Sequence, residues 1–378
     1  MVITSLILYW FFNRRKNREI KADDDVVLDV PTGPRKFSYA ELAKSTNNFD
    51  EKQKLGEGGF GGVYRGFLSD LNIDVAVKRI SERSKQGVEE YASEVNIISR
   101  LRHRNLVKLI GWCHQQKELL LVYEFMPNGS LDAHLFRNRG SSLTWELRYK
   151  IALDLAYAIR YLHEEWDQCV VHRDIKSSNV ILDSNFNAKL GDFGMARLVE
   201  HEKESETINF VAGTLGYMAP EYIITGKASK ESDVYSFGVV LLEIACGRKA
   251  VEMKADPSEE SLVNWVRELY GRGKHLEAAD PSQGMNFDER QIECLMIVGL
   301  WCAHPDYKLR PSIWEAILVL KFDASLPPLN SVCLHSGLHH LSVGSTECDA
   351  SHTRRSFNGC TIDSASSSSY SASLLLPR

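Results

Sequence analysis

The stretch His172-Arg173-Asp174-Ile175-Lys176-Ser177-Ser178-Asn179, followed after a short hairpin pattern by Asp192-Phe193-Gly194, decides how this chain is read. It fits the pattern H-R-D-x-x-x-x-N followed by D-F-G. Phosphoryl transfer needs a carboxylate facing the attacking hydroxyl and hard oxygen ligands for Mg²⁺ bridging the phosphates. Asp174 suits the first role, and Asn179 and Asp192 suit the second. Taken singly, each would be explained as a helix-capping Asp or a turn Asn. The order and spacing of the whole set argue against that.

Working toward the N-terminus, Leu55-Gly56-Glu57-Gly58-Gly59-Phe60-Gly61-Gly62-Val63 fits G-x-G-x-x-G-x-V. Glycines let a hairpin backbone approach phosphates where a Cβ would clash. A dinucleotide-binding turn would have its last glycine open a helix, whereas Val63-Tyr64-Arg65 continues as strand. No G-x-x-x-x-G-K-[ST] occurs either, which excludes a P-loop. Val75-Ala76-Val77-Lys78 then places a lysine in an apolar strand, which is costly unless the ammonium has partners. Glu94, on the next predicted helix, and the phosphates of ATP are the candidates.

The 378 residues carry a net charge of −5, which gives no support to a nucleic-acid partner. Eight scattered cysteines without a C-x-x-C pair read as reduced, buried thiols rather than zinc ligands. Residues 1–12, MVITSLILYWFF, are apolar and are followed by Arg14, Arg15, Lys16 and Arg18. Twelve helical residues cover roughly 18 Å, short of the ~30 Å hydrocarbon layer. Residues 1–19 therefore read as the stump of a membrane span with its basic flank on the cytoplasmic face of the plasma membrane. The competing reading is a cytoplasmic protein with a greasy end.

Residues 20–36 form a polar linker, and Ser38-Tyr39-Ala40-Glu41 has capping-box spacing that starts a short helix through about Thr46. Strand-like runs follow over residues 54–67, 73–80, 106–113 and 119–125, interrupted by one helical pattern over 88–101. From Leu131 onward the pattern is helical, including 148–163 and a helix opened by Asp256-Pro257-Ser258-Glu259. This predicts an α+β, bilobal chain. A small antiparallel β lobe with one key helix (49–125) precedes a large helical lobe (126–324), with a nucleotide cleft between them. Residues 20–48 read as a juxtamembrane linker, and 325–378 as a disordered, serine-rich tail.

These motifs are those of eukaryotic protein kinases. More narrowly, FSYAELAKSTNNF, LGEGGFGGVYRG, HRNLVKLIGWC, LVYEFMPNGSLD, GTLGYMAPEY and SDVYSFGVVLLEIACGR resemble a plant receptor-like kinase. The resemblance is to the cytoplasmic part of L-type lectin receptor kinases and covers roughly residues 37–326, without the lectin ectodomain. It implies a Ser/Thr kinase using ATP and Mg²⁺ on protein substrates, itself among them. By the same resemblance, Val63, Ala76 and Ile181 would sandwich adenine. Tyr123 would stand at the back of the pocket, and Glu124 and Met126 would offer hinge backbone. Lys176 would neutralise the transferring phosphoryl group. Ile98, Leu109, His172 and Phe193 would stack as a spine, Asp233 would hold the catalytic-loop backbone, and Glu221 would pair with Arg310.

Arg173, beside the catalytic Asp174, reads as an unpaired guanidinium that a phosphate on the activation segment (192–221) would relieve. Ser205, Thr207 and Thr214 are the acceptors there. Thr207 is the preferred regulatory site, and Thr214 is expected against the catalytic loop. The alternative to an active kinase is a pseudokinase or scaffold, which predicts loss of Lys78, Asp174, Asn179 or Asp192. All four are present.

Overall fold

The glycine turns and β-branched runs after residue 53 fold into the hairpins their spacing dictates. Strands β2 (Lys54–Gly58), β3 (Gly61–Leu68), β4 (Ile73–Ile80), β5 (Leu109–Gln115) and β6 (Glu118–Glu124) are joined by β1 (Arg35–Lys36). Together they form a six-stranded sheet in the order β1-β5-β6-β4-β3-β2. The computed structural model describes residues 33–58, 61–80, 85–115, 117–137, 143–199, 206–207, 212–251, 261–284 and 287–329. The apolar N-terminal run, Gly59, Phe60, Ser205 and most of the serine-rich tail lie outside these. Among the described residues no helix is long and apolar enough to cross a membrane.

Strands β2 to β6 pair antiparallel as expected. β1, inside the stretch read as linker, pairs parallel with β5, Arg35 opposite Gly111 and Lys36 opposite Trp112. Gly111 makes this approach possible, because a Cβ there would lie 2.2 Å from the Arg35 carbonyl oxygen and 2.3 Å from the Phe37 ring. Helix α1 (Tyr39–Ser45) follows, with the Ser38–Glu41 capping box in place. The strap from Arg35 to Phe49 covers the outer face of the sheet: Phe37, Leu42, Ala43 and Phe49 share one core with Tyr64, Leu68, Val75, Val77, Cys113, Leu120 and Val122.

Helix α2 spans Lys85–Ile98, three residues N-terminal of the expected pattern. The run expected as strand from Leu106 begins only at Leu109. Its first residues instead bridge to the large lobe: Leu106 pairs with Leu190, and the Val107 N–H donates to the Leu190 carbonyl at 3.0 Å.

The large lobe holds α3 (Leu131–Phe136), α4 (Trp145–Arg160), the hairpin β8 (Val180–Leu182) with β9 (Ala188–Leu190), and β7 (Cys169–Val171) paired with β10 (Arg197–Val199). Two short strands, β11 (Glu206–Thr207) and β12 (Lys227–Ala228), pair with each other. Helices α5 (Pro220–Thr225), α6 (Lys230–Cys246), α7 (Leu262–Gly271), α8 (Glu289–Cys302) and α9 (Ile313–Leu320) complete it. Helix α6 is the hub. Nearly all its residues are buried, and Gly238 lets α8 approach so closely that a Cβ would lie 2.6 Å from the Gly299 carbonyl oxygen. Helix α7 is capped by Ser261, whose side chain accepts from the Asn264 N–H, so it starts later than the Asp256-Pro257 opening expected. Asp256 to Glu259 lie outside the described residues. Cys113, Cys169, Cys246, Cys294 and Cys302 are buried free thiols.

Candidate active site

Pairing of β4 with its neighbours fixes where its lysine points. Lys78 lies opposite Val63 of β3 and Leu121 of β6. Its Nζ sits 3.0 Å from Glu94 Oε2 on α2 and 2.7 Å from Asp192 Oδ1 in the large lobe. Burial pulls against the charged ammonium, but the Asp192 and Glu94 carboxylates outweigh it and hold the Lys78 pKa above its ordinary value. Burial would likewise raise Asp192, yet Lys78 and Lys176 bring it down to about 2. Glu94 is 1% exposed and also accepts from the Tyr123 hydroxyl and, at 3.3 Å, from the Phe193 N–H.

In the large lobe, β7 runs directly into the loop from His172 to Asn179. Asp233, in the first turn of α6, accepts the His172 N–H at 2.7 Å and the Arg173 N–H at 2.8 Å, while His163 Nε2 lies 2.9 Å from the same carboxylate. The Asp174 carboxylate accepts from Lys176 Nζ at 2.7 Å and from the Thr214 hydroxyl at 2.8 Å. Asn179 Nδ2 donates to the Asp174 carbonyl at 2.9 Å and to its carboxylate at 3.1 Å, which leaves the amide oxygen for another partner. The Gly191 N–H donates to the Asn179 carbonyl at 3.0 Å, tying the Asp192 segment to the loop. Arg173 and Asp192 both adopt left-handed backbone, φ 72° and 64°. Two such residues in one site mark a backbone held by its surroundings rather than by local preference.

Between these groups opens a cleft. Val63, Ala76 and Ile181 give it apolar walls, Tyr123, Glu124 and Met126 line it further, and Lys78, Glu94 and Asp192 supply its charge. Val107 and Gly191 also line it, and the sequence reading missed both. Gly191 directly precedes Asp192-Phe193-Gly194, which was the available signal, and in the fold a Cβ there would lie 3.0 Å from the Val107 side chain.

The glycine-rich hairpin closes with Gly58 opposite Gly61. Gly61 has φ 146° and a virtual Cβ only 1.7 Å from the Arg79 carbonyl oxygen, so no other residue fits. Leu55 is buried in β2 beside Gly56 and Glu57, and Gly62 lies opposite Glu57.

An apolar slot ending in an ammonium fits a purine nucleotide with its phosphates. A carboxylate and an amide oxygen fit a hard divalent cation that takes its other ligands from phosphate and water. Among the described residues no three His, Cys, Asp or Glu groups gather into an all-protein cation site.

Ile98, Leu109, His172 and Phe193 are all buried, with the His172 and Phe193 rings 4.8 Å apart. Glu221 and Arg310 form a two-pronged pair at 2.6 and 2.7 Å. The Arg173 guanidinium, expected unpaired, donates to the Met195 carbonyl and the Tyr222 hydroxyl, each at 2.9 Å. These partners are neutral, and among the described residues it has no carboxylate. Thr207 sits in β11 opposite Lys227, and Thr214 bonds Asp174.

Residues 49–319 match the protein kinase domain family. The chain is 56% identical over 354 residues to the L-type lectin-domain containing receptor kinase IX.1 of Arabidopsis thaliana, covering 91% of this chain and 54% of that protein. Identity to the Arabidopsis receptor kinase IX.2 of the same type is 53%, covering 87% and 50%. Identity to IV.1 is 43%, covering 96% and 54%. The chain thus spans about half the length of these curated relatives. With the family match over 49–319 and the cleft geometry in agreement, the chain belongs to the protein kinase family, of the Ser/Thr type found in plant receptor kinases.

Proposed function

We propose that this chain transfers the γ-phosphoryl group of ATP to Ser and Thr hydroxyls of proteins, its own included, with Mg²⁺ as the working cation. The observation that carries the reading is Lys78 joined to both Glu94 and Asp192, one from each lobe, at the mouth of an apolar slot.

Val63, Ala76 and Ile181 grip the base, Glu124 and Met126 offer hinge backbone, and the glycine-rich hairpin from Leu55 to Val63 covers the phosphates. Lys78 orients the phosphates, and Glu94 keeps its ammonium in place. Asp192 and Asn179 would hold the cation, which when bound neutralises charge on the phosphate oxygens. Asp174 orients the acceptor hydroxyl and takes its proton. The 2.8 Å bond it accepts from the Thr214 hydroxyl has the geometry that task requires. Lys176, 2.7 Å from Asp174, sits where it can offset charge on the group being transferred. Catalysis is chiefly positioning and electrostatics.

Asp174→Asn should abolish phosphotransfer while nucleotide binding stays within about twofold of wild type. Wild-type turnover by that variant, or a purified chain that never consumes magnesium nucleotide, overturns the reading.

The reading extends to regulation and place. A phosphate on Thr207 orders the activation segment by giving Arg173 the counter-charge it lacks; unchanged autophosphorylation of Thr207→Ala defeats this. The relatives' names as receptor kinases and the apolar and basic composition of residues 1–19 support action at the cytoplasmic face of the plasma membrane. If removing those residues leaves the chain's fractionation unaltered, that placement fails.

A further inference from the structure

Helix α2 carries Glu94 to Lys78, and the residue just before Glu94 is bonded to the segment that follows Asp192. The Ser93 hydroxyl donates to the Ala196 carbonyl at 2.9 Å, and Arg197 Nη1 donates to Ser93 Oγ at 2.9 Å and to the Ala196 carbonyl at 2.8 Å. Arg197 opens β10, where it lies opposite Val171 of β7, the residue that leads into His172. Ser93 therefore stands between the helix holding Lys78 and the strand pair holding the catalytic loop. Nearby, the Phe193 N–H reaches Glu94 at 3.3 Å, and Gly194 packs so close to Glu90 that a Cβ would lie 3.2 Å from the Glu90 Cβ.

We infer that Ser93 is a positioning residue: its hydroxyl latches α2 to the post-Asp192 segment and so holds Glu94 within reach of Lys78. This rests on the kinase reading above for its effect on rate, though not for its effect on structure. With the hydroxyl gone, two hydrogen bonds between the helix and the Ala196–Arg197 segment go with it. A helix free to turn away takes Glu94 from Lys78, and apparent competence falls with the fraction of molecules still in register. Alanine is a better helix former than serine, so a Ser93→Ala loss is not a loss of helix propensity.

The test compares the full chain with its Ser93→Ala and Ser93→Thr variants by amide hydrogen exchange over residues 85–98 and 192–199, and by kcat/KM for ATP. Ser93→Ala should exchange faster in both segments and lose about fivefold in kcat/KM, the scale of one or two net hydrogen bonds. Ser93→Thr, which keeps the oxygen, should restore both. Wild-type exchange in Ser93→Ala, or equal impairment of the two variants, overturns the latch. Because exchange needs no turnover, a wild-type chain without phosphotransfer activity would defeat the kinase reading while exchange still decided the latch.

Discussion

The Asp233 carboxylate accepts the Arg173 backbone N–H at 2.8 Å and thereby holds an arginine at φ 72°, a conformation its Cβ disfavours. The same carboxylate accepts the His172 N–H at 2.7 Å, so a buried side chain from α6 sets the backbone path into Asp174. The position of the Asp174 carboxylate is therefore decided some sixty residues downstream of it.

Asp233→Asn tests this with almost no change of shape. An amide keeps one accepting oxygen where the carboxylate has two, so one of the two loop N–H groups is left buried and unmet, at about 1–3 kcal/mol. The melting temperature should fall by several degrees and kcat by roughly tenfold or more. The KM for ATP should move less than about twofold, because Lys78 and Glu94 lie elsewhere. Unchanged kcat would show that Asp233 does not set the loop.

The strap from Arg35 to Phe49 makes a different prediction. Most of it precedes the family match at residue 49, yet Phe37 and Leu42 are 1% and 0% exposed. Large-to-small changes at such sites cost about 2–5 kcal/mol each. A chain starting at residue 49 should melt about 10 °C or more below one starting at residue 33, and Leu42→Ala in the full chain should account for part of that gap. Equal melting of the two truncations would remove the strap from the small-lobe core.

These cases also show what was legible before folding. That Lys78, Asp174, Asn179 and Asp192 gather near the glycine hairpin was legible because their residue types and spacing form one pattern, the one that phosphate chemistry would ask for. β1 could not, since two polar residues carry no alternation, and their pairing depends on the missing Cβ of Gly111, far along the chain. Leu106 and Val107 looked like the start of a strand because apolar character alone does not say which lobe a residue joins. Ser93 gives no pattern at all. A serine inside a helix acquires a role only when Ala196 and Arg197 arrive beside it.

Glu243 offers a pH-dependent test. It is fully buried in α6, accepting from the Tyr217 hydroxyl at 2.7 Å and the Ala250 N–H at 3.0 Å. Burial pushes its carboxyl up to about 7, against the opposing pull of its hydrogen bonds from Tyr217 and Ala250. An acid raised in the folded state favours folding fully below its unfolded pKa, here 4.5, and that benefit is lost as pH rises through about 7. Glu243→Gln keeps the acceptor oxygen and removes the titration. Relative to wild type, the variant should gain about 2–3 kcal/mol between pH 5 and pH 8. Chemical denaturation at the two pH values measures this, and a constant difference would mean that Glu243 stays ionised throughout.

Lys78→Met brings the same logic to the centre of the site. Removing the ammonium leaves Glu94 and Asp192 facing each other without their shared partner, and breaking a buried pair from one side costs about 3–5 kcal/mol. In the wild type neither Lys78, raised by its carboxylates, nor Asp192, held at about 2, titrates between pH 5 and 8. The Asp192 contribution is present above its unfolded value of 3.8 and is lost only as pH falls toward about 2. In the variant, Glu94, already raised by burial with Lys78 opposing, loses that opposition and rises further. Its protonation then relieves the repulsion as pH falls. The stability gap between wild type and Lys78→Met should therefore be widest at pH 8 and shrink toward pH 5, while adding Glu94→Gln to the variant should flatten the dependence. Denaturation curves that keep the same separation at every pH would place the charge balance of the cleft somewhere other than the Lys78–Glu94–Asp192 cluster.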